Sequence, residues 1–478
     1  MRVRSVLHIL GQLLQIVGLS MIIPLLWGLY YRETESWIFI FCILITFLFG
    51  TFLKLVFEME DIRLIEGFGV VSLCWIIIPI FGALPFILSG ELSFIDAYFE
   101  SISGFTTTGA SVINNVEILP KCILFWRSFT HWLGGIGIVV LALIILPALS
   151  VGGRQIFLSE PSGPKLDKLK PQVREVGKII YSIYIFFTAA QIILLALAGM
   201  SLFDASCHSF AALATGGFST KNASIGFYNS PLIEGIIILF MFLGATSFSL
   251  HYSAFKGKFK AYLKDSEFLL YVSILGIAIL TVTLDLTYNL HENILLSFRH
   301  AIFNIISISS TTGYATTDFN LWPDFSRMVL LLLMLVGGCA GGTAGAIKVI
   351  RILLLFKIGL REIYRIIHPN AFFSIKLNGK KISEDVLQGV SGFYIFYIVT
   401  FALCSLLMLS FGNDFLTSIS SVATTMGGVG PGFNLVGPMT TYSFLPSIPK
   451  IILCFCMLTG RLEVFTLFVL FSPSYWKE

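Results

Sequence analysis

Long apolar stretches separated by short polar connections dominate this chain. Runs long enough to cross a bilayer, about 20 residues each, lie near 6–31, 36–56, 68–89, 121–149, 176–200, 231–255, 268–289, 327–357, 386–411 and 445–472. They predict ten spanning segments, although the runs at 327–357 and 445–472 are overlong or carry charges. Four shorter apolar runs, 94–106, 203–215, 296–310 and 413–426, sit between the spans, and each ends in a Thr/Gly cluster. Segments of that length are too short to span and predict re-entrant half-helices.

Composition changes the picture only by excluding a soluble protein. Of the 478 residues, 56% are hydrophobic and 12% charged, against roughly 25% charged in soluble domains. Most of the surface must face lipid, so the fold class is an all-α polytopic membrane protein. Residues 6–31 form too long an apolar run for a cleavable signal and lack a small-residue cleavage site, so they read as a first span. The 8 cysteines are scattered along apolar stretches without Cys-x-x-Cys spacing. They read as small buried hydrophobes rather than metal ligands or disulfides. The longest polar stretches, about 150–178 and 358–385, suit loops or short helices.

Positive charge gives the orientation. With the N-terminus inside and successive connections alternating, 23 of the 31 Lys and Arg fall on the inner side, from Arg2, Arg4, Lys54 and Arg63 through the basic loops 154–178 and 348–381 to Lys477. That asymmetry predicts cytoplasmic termini. It also places every Thr/Gly cluster on the outer side.

The short runs and their endings read SISGFTTTGASV (101–112), FAALATGGFSTKN (210–222), ISISSTTGYATTD (306–318) and SVATTMGGVGPGF (421–433). They are variants of one unit, with Gly109, Gly217, Gly313 and Gly430 spaced by 108, 96 and 117 residues. The chain is therefore expected to hold four pseudo-symmetric membrane-pore-membrane repeats around one central pore, behind an N-terminal helix pair. The boundaries follow as 1–66 for the pair and 67–152, 153–260, 261–382 and 383–478 for the repeats. Irregular backbone at membrane depth must be satisfied by protein or line a watery cavity. Half-helices aiming their partially negative C-termini at that cavity favour a cation, and glycine lets carbonyl oxygens turn inward to replace an ion's water. The expected filter residues are Thr107, Thr108 and Gly109; Thr215, Gly216 and Gly217; Thr311, Thr312 and Gly313; and Gly428, Val429 and Gly430. Thr424 and Thr425 are expected to brace the fourth loop or to offer hydroxyl oxygens. No carboxylate occupies these glycine positions or their immediate neighbours. Neutral ligands suit a weakly hydrated monovalent cation such as K+, whereas carboxylate rings would suit Ca2+ or Mg2+.

At these residues the chain resembles the Trk/Ktr/HKT superfamily of potassium transporters, most closely its bacterial TrkH-type membrane subunits. The resemblance extends to WRSFTHWLGGIGI (126–138), GGCAGGTAGAIKVIR (337–351) and LTGRLEVF (458–465). It implies a non-enzymatic ion-conducting subunit of a bacterial inner membrane, usually a homodimer, with no cofactor of its own. It also implies gating by a cytoplasmic TrkA-type ring that binds the regulatory nucleotide, NAD or ATP/ADP. Lipid is the other expected partner, and nucleic acid is not one. The fourth filter departs most from the others, with Met426-Gly427-Gly428-Val429-Gly430-Pro431 in place of Thr-Thr-Gly-Tyr.

Five glycines within 337–346, at about 1 kcal/mol each relative to Ala, predict a break in that span. Gly341, Gly342, Thr343, Ala344 and Gly345 then read as a loop across the conduction path, and the resemblance makes it a gate. The alternative is close helix packing through Gly337, Gly341 and Gly345. Lys348 either closes the inner mouth electrostatically or snorkels to the interface. Arg461, costly within the last span, either stands beneath the filter as a fixed charge or pairs with Glu463 or half-helix carbonyls. Asp96, Glu100 and Asp204 read as caps of half-helices, and His131 as a packing histidine. Asn114, Asn115, Glu117, Asn222 and Asp318 are expected to line an outer vestibule. A secondary transporter working by alternating access is the rival function. A membrane-embedded enzyme finds no catalytic motif here.

Overall fold

The structure, a computed structural model, describes residues 3–59, 64–149, 166–291, 293–371 and 373–477. Arg2, Arg63, Arg154, Lys165 and the expected repeat boundary at 152–153 lie outside the described residues. The fold is helical, and its strands among the described residues are two short ones, Lys376–Leu377 and Lys380–Lys381, paired as a hairpin.

Among the described residues six helices are long and apolar enough to cross a membrane: Val3–Tyr31, Ser36–Val56, Gly67–Leu88, Gly177–Leu197, Ser266–Asn289 and Glu384–Ser410. Two further spans are bent rather than straight. Pro231–Ala245 meets Phe248–Phe255 at 104°, and Ser447–Leu462 meets Val464–Phe471 at 117°. The eighth apolar run, 327–357, is interrupted, with helices at Asp324–Val336 and Val349–Ile367 and no helix between them. The fourth run is a single helix, Lys121–Leu149. The ten apolar runs are thus all present, but only some as uninterrupted rods.

The four short runs are helices Phe94–Phe105, Leu202–Leu213, Ile294–Ser309 and Phe415–Gly427. Each starts at a polar cap, as a free helix N-terminus requires. Ser93, Ser201, Asn293 and Asp414 accept hydrogen bonds from the amides of Asp96, Asp204, Leu295 and Thr417. These helices pack at the centre of the molecule and the spans surround them, leaving apolar residues such as Leu197, Leu280 and Leu406 on the outer surface. All eight cysteines are buried thiols.

The N-terminal pair shows how tightly the spans approach. Gly11 and Gly50 face each other so closely that a Cβ on either would lie 2.6 Å from the other's carbonyl oxygen. Small residues of this kind let membrane helices touch backbone to backbone. Gly50→Val should therefore pry the two helices apart at a cost of about 1–3 kcal/mol. Its melting temperature in detergent should fall while ion discrimination stays unchanged, and an unaltered melting temperature would contradict this packing.

Candidate functional site

The four half-helices end alike. The amides of Thr108, Gly216, Thr312 and Val429 each donate to the carbonyl five residues back, on Ser103, Ala211, Ser307 and Thr424, at 2.8–2.9 Å. The preceding amides, on Thr107, Thr215, Thr311 and Gly428, donate three residues back. This is a Schellman ending, and it requires a left-handed residue just past the helix. Thr107, Thr215 and Thr311 supply it with φ of 53°, 56° and 60°, and Gly428 with 71°. Gly428 therefore fills the position that threonine holds in the other three loops, which reconciles the divergent fourth sequence with the common geometry. A β-branched residue in this region stores strain of about 1–3 kcal/mol.

Two residues further on, Gly109, Gly217, Gly313 and Gly430 are also left-handed, with φ of 79–93°. They stand in a closed ring. A Cβ on Gly109 would lie 2.1 Å from the Gly216 carbonyl oxygen, one on Gly217 1.9 Å from that of Thr312, one on Gly313 1.8 Å from that of Val429, and one on Gly430 2.7 Å from that of Thr108. Each loop thus abuts the next, and the fourth returns to the first. All four glycines line a single open cavity.

Around this ring the hydrogen bonds are made by buried polar side chains. The Phe218 amide donates to His131 Nε2 (3.2 Å), so Nδ1 carries the proton and donates to the Gly104 carbonyl (2.8 Å). His131 is thereby a packing histidine that ties the first half-helix to the second loop. Tyr314 donates through its hydroxyl to the Phe218 carbonyl (3.0 Å), and Tyr442 to that of Gly430 (2.7 Å). Thr424 and Thr425 donate to the Ser421 carbonyl, and the Thr424 hydroxyl also meets that of Tyr442.

Several expectations need correction. Asp96 and Asp204 sit in the first turns of their half-helices, but Glu100 does not. It lies in the body of Phe94–Phe105, fully buried, where it meets Arg127 Nε at 2.6 Å and accepts from the Val112 amide and the Ser111 hydroxyl. Arg127 also donates to the Ser219 carbonyl (3.0 Å), with its guanidinium 3.6 Å over the Phe218 ring. Of the expected vestibule residues, Asn114 and Asn222 line the cavity. Asn115 and Glu117 instead tie the first connection to Asn222, and Asp318 caps the turn Phe319–Leu321. Two cations missed by the sequence reading, Arg127 and Lys221, do line it. Arg127 was within the quoted 126–138 motif, yet nothing in its spacing shows which carboxylate it meets.

Residues 337–348 run as a non-helical loop against the half-helix ends, not as the packed helix of the alternative reading. The Thr343 amide donates to the Gly244 carbonyl, and its hydroxyl reaches the Leu213 carbonyl, both at 2.9 Å. The Thr215 hydroxyl lies 3.3 Å from that of Thr343, and the Gly345 amide donates to the Thr311 hydroxyl at 2.9 Å. On the fourth side, a Cβ on Gly345 would lie 2.7 Å from the Gly427 carbonyl oxygen. Gly341 accepts from the Phe248 amide freed at the 104° bend, Gly342 abuts the Gly244 carbonyl, and Ala344 is buried. The loop thus touches residues at the ends of the second, third and fourth half-helices.

Arg461 completes the enclosure. It sits at the end of Ser447–Leu462, next to the 117° bend rather than in mid-span. Its guanidinium donates to the Thr343 carbonyl at 2.6 Å and reaches that of Gly134 at 3.5 Å. The pairing with Glu463 is not formed. Glu463 turns the other way, to Arg351 at 2.6 Å, with Lys348 at 3.9 Å. Lys348 accordingly neither snorkels freely nor stands alone, because it faces a carboxylate in a largely buried position.

Helices of spanning length, four short central helices and a ring of glycine loops define a multi-pass α-helical membrane protein. The chain belongs to the TrkH family, whose profile, described as a cation transport protein, matches residues 36–478. It is 40% identical to the Trk system potassium uptake protein TrkH of Escherichia coli strain K12, with both chains covered in full. It is 36% identical to that organism's Trk system potassium uptake protein TrkG, covering 100% of this chain and 99% of the relative. The crystal structure of the potassium transporter TrkH from Vibrio parahaemolyticus superposes with a TM-score of 0.92 at 37% identity, again over the whole of both chains. In keeping with these relatives, the protein resides in the inner membrane.

Proposed function

We propose that this chain is a potassium-uptake membrane subunit that passes K+ inward, down its electrochemical gradient, through one pore per chain. The observation that carries this reading is the closed ring of Gly109, Gly217, Gly313 and Gly430 about a common cavity. The four segments 67–152, 153–260, 261–382 and 383–478 then act as repeats, each giving one half-helix and one filter loop. Backbone carbonyls and the threonine hydroxyls of the loops replace the ion's water. The Thr107 hydroxyl is buried without a protein partner, which leaves it free to meet an ion.

The loop 341–345, pinned by Arg461, forms the gate beneath the filter. Moving it would open the path, and Arg461 sets a positive charge beside that path. The termini face the cytoplasm, and the basic stretches there receive a nucleotide-binding regulatory ring. The active form is a pair of such chains.

A ring closed by four loops supports a pore over alternating access, which repacks two halves around a central site. Rubidium flux into proteoliposomes with Na+ in competition, together with single-channel recording, tests this. Discrete current steps and preference for Rb+ are expected. Saturable flux without current steps would overturn the pore.

A further inference from the structure

Each half-helix carries a fully buried polar residue, nine or ten positions before its glycine, that hooks the segment rising from that glycine. These are Glu100, His208 and Asn304, nine residues before Gly109, Gly217 and Gly313, and Ser420, ten before Gly430. Glu100 holds the Val112 amide at 2.9 Å and the Ser111 hydroxyl at 3.0 Å. His208 meets the Ser219 hydroxyl at 3.1 Å, Asn304 donates to that of Thr316 at 3.2 Å, and Ser420 accepts from the Phe433 amide at 3.0 Å. The hooks share a place in the fold but differ in chemistry. Only the first is a carboxylate, and only it is bound to a cation that lines the cavity, Arg127.

We infer that Glu100 and Arg127 are a positioning pair that sets ion discrimination at the cavity mouth, acting on the first and second filter loops together; this rests on the proposed conduction function. Two consequences of the geometry carry it. Arg127 would repel an approaching cation, and Glu100 at 2.6 Å cancels that charge. A buried charge that loses its partner stays uncompensated, because little water is present to screen it. The second consequence is mechanical. Glu100 fixes the strand that leaves Gly109, and Arg127 carries the constraint across to the Ser219 carbonyl, two residues past Gly217. The remaining three hooks stay within one loop, whereas this pair joins charge balance to the position of two loops.

The test compares wild type, Glu100→Gln, Arg127→Gln and the double variant, all reconstituted, for the Rb+ concentration that half-saturates uptake and the Na+ concentration that halves it. Glu100→Gln should raise the first at least about tenfold, as expected of an unbalanced unit charge at the mouth of a low-dielectric passage. The double variant should recover much of that apparent affinity, because no net charge is left, yet remain more sensitive to Na+ than wild type. Stabilisation of the folded protein by K+ relative to Na+, read as a shift in melting temperature, should shrink in the double variant as well. A folded Glu100→Gln protein with wild-type half-saturation and Na+ sensitivity overturns the inference. Should Glu100→Gln fail to fold, the double variant decides, and wild-type discrimination in it overturns the inference too. If wild type itself shows no preference among alkali cations, the failure belongs to the proposed function instead.

Discussion

Gly313→Ala should abolish selective cation uptake while leaving the protein folded. The added methyl would lie 1.8 Å from the Val429 carbonyl oxygen and 2.7 Å from Pro431 Cδ, on a residue with φ of +79°. No rotamer relieves either contact, since the Cβ has no freedom to turn and its neighbours are a backbone carbonyl and a proline ring carbon. The third and fourth loops must part, and the Val429 carbonyl moves with them. A left-handed alanine adds about 1–2 kcal/mol of local strain. Gly276→Ala is the matched control: Gly276 lies in a span with open space around it and no unusual backbone angle, so its uptake should equal wild type. Both are measured as rubidium uptake at equal reconstituted amounts. Normal uptake by Gly313→Ala would mean that the ring is not where ions pass.

Arg461→Gln should do the opposite and raise flux. Glutamine is too short to keep the bond to the Thr343 carbonyl, and it removes the positive charge from beside the proposed path. A hydrogen bond to a charged group contributes about 1.5–3 kcal/mol, so its loss shifts the closed-to-open balance of the loop by a factor of roughly 10–100. Removing residues 341–345 should act in the same direction. Arg461→Lys separates the two contributions, because it keeps the charge and loses the planar reach to Thr343 and Gly134. Flux near wild type in the lysine variant would assign the barrier to charge, and flux like the glutamine variant would assign it to the bond. The proposal of a gate fails if a folded Arg461→Gln protein conducts no more than wild type.

Much of the architecture was legible because its causes are local. The short apolar runs stand out directly, though their caps are Ser93, Ser201, Asn293 and Asp414 rather than the acids expected, and the five glycines of 337–346 disfavour a helix. The four loops share enough sequence to be aligned by eye. What stayed hidden depends on partners remote in the chain. Threonine is a poor candidate for a left-handed position, so the helix endings at Thr107, Thr215 and Thr311 show only once the hydrogen bonds are seen. Glu100 resembles a cap when counted along the chain, and its true partner is 27 residues away on another helix. The bends near Thr246 and Glu463 are paid for by contacts with residues 339–351, which no local pattern contains.

Two of the strained threonines bridge the glycine ring and the 337–348 loop. Thr215 and Thr311 shape the loops above and hold Thr343 and Gly345 below. Such shared groups make ion occupancy and loop position thermodynamically reciprocal. If an ion seated among the carbonyls steadies these threonines, it must favour one loop position by the same free energy with which that position favours the ion. External alkali-metal concentration then becomes a regulator in its own right, felt at the cytoplasmic end without any messenger.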